Sequence, residues 1–202
     1  MELSRTLGLA AGICGLLVAV SRMPAIAAGN GPLGTPLSSF TDGTIPRHVY
    51  TVPGVLKKNG FVTEFLCTNL SPVGAPANIG VEVFDNTGTQ LNSVSATPAP
   101  GSTPVPRTCD DSGNGAVLNV MPGSTVTIAT GGTAQMHEDC KMTMASFDNG
   151  SARIVSTASR VACSAFVIDS KNVIVDSTGM VTGRSPSAVS LKVIKKNKQL
   201  GD

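Results

Sequence analysis

The chain has 202 residues with no tryptophan, one tyrosine and two histidines, and only 14% of its residues are charged, against roughly 25% in ordinary soluble domains. Each scarcity removes a class of function. Sugar binding by stacking needs exposed aromatic rings, and Tyr50 alone supplies no platform. A formal net charge of +2 gives no electrostatic footprint for nucleic acid. The one basic concentration, Lys192, Lys195, Lys196 and Lys198, closes a strand pattern and runs into the tail, where charge keeps a sheet edge soluble. Disorder is not the default either, because 41% of the residues are hydrophobic and can offset the entropy of ordering.

What is present begins with an export signature. Met1 to Arg5 leads into an apolar run from Thr6 to Val20, followed by Pro24 and the small-residue tripeptide Ala25-Ile26-Ala27. That is the layout of a secretory signal peptide, with cleavage expected after Ala27. The run is about 15 residues, short of the roughly 20 that span a bilayer, and no later stretch is apolar for long enough. An uncleaved anchor is the competing reading. Cys14 lies inside the apolar run behind Ile13, where lipidation would need a small residue. The remainder carries a formal +1, and residues 28–44, rich in glycine, proline, serine and threonine, read as a flexible lead-in. The domain is expected over 45–195, with 196–202 as a basic tail.

The cysteines left after cleavage are Cys67, Cys109, Cys140 and Cys163, an even number in a compartment that permits disulfides. Alternation places Cys67 on a face with Phe61 and Phe65, and Cys163 on a face with Val161, Ala165 and Val167, so both sulfurs point at the core. Cys109 and Cys140 lie in polar segments. The expected pairs are therefore Cys67 with Cys163 and Cys109 with Cys140, closing about 97 and 32 residues and worth up to roughly 4.7 and 3.7 kcal/mol in the chain-entropy account. No Cys-x-x-Cys spacing suggests a redox motif or a zinc knuckle.

Short β-branched runs fill the rest: Arg47 to Val52, Phe61 to Leu70, Asn78 to Asp85, Thr89 to Val94, Ala116 to Val120, Ser124 to Thr130, Ala152 to Thr157, Arg160 to Asp169, Asn172 to Asp176 and Ala188 to Ile194. None has a helical period. Turn residues separate them, Asp85-Asn-Thr-Gly88 as a hairpin connection and Pro122-Gly123 before another strand. The pattern predicts an all-β, immunoglobulin-like antiparallel β-sandwich with two disulfides. The likeness is one of architecture only, since the tryptophan is absent and Val161 stands where a tyrosine precedes the second cysteine. The proline-rich stretch Ala96 to Pro106 is expected as an extended surface crossover.

The phrases Arg47-His-Val-Tyr-Thr-Val-Pro-Gly54, Phe65-Leu-Cys-Thr-Asn69, Gly80-Val-Glu-Val-Phe84 and Ser151-Ala-Arg-Ile-Val-Ser-Thr157 resemble a set of small exported bacterial proteins of unassigned activity. The resemblance spans most of 46–194, carries no catalytic motif and implies a secreted β-domain.

Three constellations offer chemistry. Met136, His137, Cys140, Met142 and Met144 bring soft ligands together as a copper site would. A disulfide at Cys140 would remove the thiolate, and the methionines would then fill gaps beneath a loop. Asp110, Ser112 and Asn114, with Gly115, match the first half of a calcium loop, but Met121 stands where the bidentate glutamate belongs. Cys109-Asp-Asp-Ser112-Gly113 is similar to the nucleophile stretch of trypsin-like proteases until Asn114 replaces the following glycine, and Gly-x-Ser-x-Gly occurs nowhere. A hydrolase would have to use His48 or His137 beside a carboxylate. The resulting expectation is a secreted, non-catalytic surface, envelope or interaction module without a cofactor, for which the sequence names no protein or envelope partner. Metal binding and hydrolysis are the alternatives.

Overall fold

The computed structural model describes residues 30–95, 108–109, 115–132, 138–142, 144–170, 174–183 and 188–196. The expected signal peptide, the Ala96 to Pro106 crossover and nearly all of the basic tail lie outside them. The described chain is all-β and mainly antiparallel, apart from a four-residue helix, α1 (Gly31–Gly34). Its strands are β1 (Arg47–Lys58), β2 (Phe61–Asn69), β3 (Ala77–Phe84), β4 (Thr108–Cys109), β5 (Ala116–Val120), β6 (Thr125–Ala129), β7 (Cys140–Lys141), β8 (Phe147–Ser156), β9 (Val161–Asp169), β10 (Ile174–Val175), β11 (Val181–Gly183), β12 (Ala188–Leu191) and β13 (Ile194–Lys195). Among the described residues, no helix is long and apolar enough to cross a membrane.

Hydrogen bonding runs through eleven strands, and its pattern divides them into two ladders. One is β5-β3-β8-β1, with β13 on the far edge of β1. The other is β4-β7-β6-β2-β9-β12, in which β6 and β7 are parallel. The ladders join where Lys57 and Lys58 of β1 pair with Val62 and Phe61 of β2. Asn59 and Gly60 make the turn there with φ of 55° and 91°, and two positive φ values suit the right-handed twist of a tight hairpin. β1 reaches this turn by continuing past Pro53, six residues beyond the Val52 end expected from sequence. The ladder register shifts between Pro53 and Val55, and Gly54 takes φ 81° in the gap, so the bulge absorbs the proline without ending the strand.

Leu56 lies close to the point where β1 passes to the second ladder. The Thr63 hydroxyl accepts from its N–H and donates to its carbonyl, and Thr130 also donates to that carbonyl. Two buried threonines thus complete backbone bonding at the corner. Farther along, the Tyr50 hydroxyl on β1 donates to the Val161 carbonyl on β9 at 2.5 Å and ties the ladders together again.

Both ladders contribute to one apolar core, with Val52, Ile79, Val81, Val83 and Ile154 from the first and Phe65, Cys67, Val126, Ile128 and Ala165 from the second. Phe65 and Phe84 are buried, whereas Phe61, expected inside, is 43% exposed because it flanks the hairpin turn. Cys67 and Cys163 form a disulfide, as expected. The two stand directly opposite on neighbouring strands β2 and β9. The bond therefore staples adjacent strands, unlike the inter-sheet disulfide of immunoglobulin domains.

Every residue of β3 is buried, which a half-covered strand could not achieve. Ala77, Ile79, Val81 and Val83 face the main core, while Phe40, Val94, Ala116 and Val155 form a second cluster. Residues 30–44, expected as a flexible lead-in, are instead a strap over this second cluster with Phe40 only 2% exposed. Gly80 is the thin point: a Cβ there would meet Val94 Cγ1 at 2.5 Å, Phe40 Cε1 at 3.1 Å and Ala116 Cβ at 3.2 Å.

Thr89 to Val94, expected as a strand, makes only the isolated bridge Gln90 to Phe84. Side-chain chemistry explains the difference. Asn92 accepts from the Val83 N–H and donates to the Val81 carbonyl, taking the places a neighbouring strand would fill. At Asp85 the expected reversal is present, with the Thr89 carbonyl accepting from the Asp85 N–H.

Candidate functional site

Among the described residues, the chemistry-bearing side chains lie at a buried ion pair, a half-buried histidine, the methionine loop and two clefts. Glu82 and Arg153 oppose each other in the β3–β8 register and pair at 2.5 Å, with side chains 0% and 1% exposed. Gln90 donates to the other Glu82 oxygen at 3.1 Å. The guanidinium donates to the Pro32, Thr35 and Pro36 carbonyls of the strap and lies 5.3 Å from the centre of the Phe84 ring. Burial pushes the Glu82 carboxyl above its ordinary value, and Arg153 pulls it back. Every strong interaction of this pair runs to the protein itself, so it is a clamp for the strap. Asn78 holds the other end by donating to Asp42 at 2.7 Å and Thr44 at 2.9 Å.

His48, the described histidine that a hydrolase could use, is half-buried with Nε2 2.9 Å from the Tyr50 carbonyl and 3.0 Å from Thr51 Oγ1. Burial pulls its pKa down to about 4; the bond to the Tyr50 carbonyl opposes this, while repulsion from Arg153 and Lys196 adds to it. The ring is therefore neutral near pH 7. If Nε2 donates to the Tyr50 carbonyl it cannot also take the Thr51 proton, so the threonine is not activated. His48 forms no ion pair with a carboxylate among the described residues.

At the expected copper loop, Met142 and Met144 belong to the main core, and Asn92 Nδ2 lies 3.2 Å from the Met142 sulfur. Cys140 is buried and disulfide-bonded, and its backbone stands in register with Cys109. Cys140 is held by its disulfide and Met144 by packing, while Met142, though packed in the core, also lines the cleft beside Lys57, Lys58 and Lys141. Met136, His137, Asp110, Ser112 and Asn114 lie outside the described residues. Among the described residues, no group of three or more His, Cys, Asp or Glu side chains is placed to hold a metal ion.

Two open clefts are lined by described residues. One, of about 490 Å³, is lined by Lys57, Lys58, Lys141 and the Gly131-Gly132 pair. Lys57 donates to the Met144 carbonyl at 2.8 Å, with its pKa lowered by burial, and Lys58 pairs with Asp148 at 2.5 Å. The other, of about 550 Å³, lies between the Ser71–Pro76 loop and the β8–β9 turn and is lined by Arg47 and Arg160. Comparisons with protein-family models, with curated proteins and with solved structures find no match.

Sequence reasoning overlooked both arginine features. A charged residue inside the apolar run Ala152-Arg-Ile-Val was the available signal for Arg153. Arg47 and Arg160 are far apart in sequence and line one cleft because Arg47 opens β1 and Arg160 closes the turn into β9.

Proposed function

We propose that this chain is an exported, non-catalytic β-sandwich serving as an envelope or cell-surface interaction module. The two ladders are its layers, and Cys109 is assigned as the partner of Cys140, giving two disulfides. Its immunoglobulin-like character is confined to strand architecture. The observation that carries the reading is the Cys67–Cys163 disulfide, a bond that belongs to oxidising compartments. The signal-peptide pattern and the resemblance to small exported bacterial proteins support it independently. The absence of catalysis rests on His48, whose ring nitrogen is occupied by its own strand, and on the enclosure of Glu82 and Arg153.

Cell fractionation followed by N-terminal sequencing and intact mass with and without alkylation tests the proposal. The expected product begins at Ala28, lies outside the cytosol and takes up no alkylating reagent until reduced. A cytosolic chain with reactive thiols at Cys67 and Cys163 would overturn export. Ester or peptide turnover that disappears in His48→Gln would overturn the non-catalytic assignment.

A further inference from the structure

We infer that the cleft between the Ser71–Pro76 loop and the β8–β9 turn is a binding site for a phosphate group. Its hydrogen-bonding capacity is unbalanced in one direction. Arg47 and Arg160 both line it, no acidic side chain does, and neither guanidinium has an ion-pair or hydrogen-bond partner among the described residues. Loop acceptors, by contrast, are already engaged. The Pro72 carbonyl accepts from the Ala75 N–H, the Ala75 carbonyl from Asn69 Nδ2, and the Arg160 carbonyl from the Leu70 N–H.

Hydroxyls add further donors. Thr157 Oγ1 accepts from the Asn78 N–H at 2.9 Å, so its own proton is left to donate elsewhere. Ser71 and Ser159 line the same cleft. Two forked cations with hydroxyls around them offer more donors than the two oxygens of one carboxylate can accept, and suit the three terminal oxygens of a phosphate. The lysine-lined cleft is a poorer candidate because Lys57 and Lys58 are committed to Met144 and Asp148.

The site is also held in shape. Asn69, fully buried, donates to the Ala75 and Val120 carbonyls and accepts from the Ser71 N–H, which pins the loop to the end of β2. Exposed Leu70 and Val73 stand on the same stretch of chain, so the phosphate has two possible sources: a free phosphate compound or an anionic lipid headgroup.

Amide chemical shifts of the purified, oxidised protein, titrated with inorganic phosphate and separately with acetate, test the assignment, alongside sedimentation with phosphatidylglycerol and phosphatidylcholine vesicles. Saturable shifts at Ser71 and Thr157 to Arg160 are expected with phosphate, weakened by added salt and at least about tenfold by Arg47→Gln or Arg160→Gln. Lysine at either position keeps charge but loses the fork, and is expected to fall between parent and glutamine. Free phosphate binding without vesicle binding identifies a soluble source; binding to phosphatidylglycerol alone, lost in both glutamine variants, identifies the headgroup. Acetate binding as tightly as phosphate would overturn the ligand class. Neither phosphate nor vesicle binding, a response unchanged in both glutamine variants, or a lowered melting temperature in ligand-free Arg47→Gln and Arg160→Gln would overturn the site.

Discussion

Replacing Arg153 by methionine should separate the two roles of the buried pair. The substitution keeps an apolar side chain of similar length but removes the cation from Glu82 and the donor from three strap carbonyls. Breaking a buried pair by deleting one partner costs about 3–5 kcal/mol, because the other charge is left without compensation. A domain's whole stability is about 5–15 kcal/mol, so the loss is large. Glu82 can lessen it by taking a proton. Burial already raises its pKa, and without Arg153 the opposing pull is gone. Its folded-state pKa then lies above the unfolded value, so the folded chain holds a proton that the unfolded chain releases, and stability falls as pH rises between those values. Arg153→Met should therefore lie closest to the parent in acid and farthest from it near pH 8.

Urea unfolding at several pH values measures the energy, and amide exchange locates it. The Phe40 N–H, bonded to the Thr44 carbonyl, and the Thr35 N–H, bonded to the Gly31 carbonyl, should lose protection while β2 and β9 keep theirs. Adding Glu82→Gln should recover the pH-dependent part and leave the strap exposed. A single variant within about 1 kcal/mol of the parent at every pH, with strap protection unchanged, would refute the clamp.

Other perturbations probe separate parts of the fold. His48 has its pKa pulled to about 4, so between that value and about 6.5 the unfolded chain binds a proton the folded chain refuses. Stability should fall on acidification through this window by about 1–2 kcal/mol, a full shift of roughly 3 kcal/mol being reduced by partial exposure, and His48→Gln should flatten that slope in urea midpoints. Gly80→Ala should cost about 1–3 kcal/mol by overpacking against Val94, Phe40 and Ala116, seen as a lowered melting temperature that Val94→Ala partly restores. Asn69→Asp turns a donor toward the Ala75 and Val120 carbonyls into an acceptor, and should cost at least about 2 kcal/mol in urea while releasing the Ser71–Pro76 loop to proteases. The double variant C67A/C163A should lose up to about 4.7 kcal/mol, the loop-closure value for this separation, measured by urea unfolding against the oxidised parent.

Strand content was legible where alternation and turn chemistry agreed. Ala116 to Val120 matches β5 end for end, and the Phe61 and Arg160 runs lie within one residue of β2 and β9. The Cys67–Cys163 pairing was legible from two facing strand patterns. Errors arose where a nonlocal partner overruled a local signal. Pro53-Gly54 reads as a terminator, yet Asn59-Gly60 farther on is the stronger hairpin signal, and a bulge lets β1 run to it. The glycine- and proline-rich composition of 28–44 argues for a flexible segment only while Arg153 is out of view, since the carbonyls that hold the strap exist in any sequence. The methionine loop looked like a ligand set because thioether identity carries no information about direction. Met142 and Met144 turn into the core.

Scarce aromatics explain why this fold uses so many ties. Valine dominates the fully buried positions, with Val52, Val55, Val81 and Val83 at 0% exposure, and phenylalanine adds only Phe40, Phe65 and Phe84 among the largest side chains there. A buried valine supplies about 1.5 kcal/mol, toward the low end for apolar side chains, so a thin core leaves less surplus over the entropy of ordering. Each tie acts where a larger side chain would otherwise have to. The disulfide fixes β2 to β9, Tyr50 fixes β1 to β9, and the Arg153 clamp adds a second apolar layer on the outer face of β3. None of these groups retains an open valence for chemistry. The Arg47 and Arg160 side chains differ in this respect: neither makes an ion pair or hydrogen bond among the described residues, and both line one cleft.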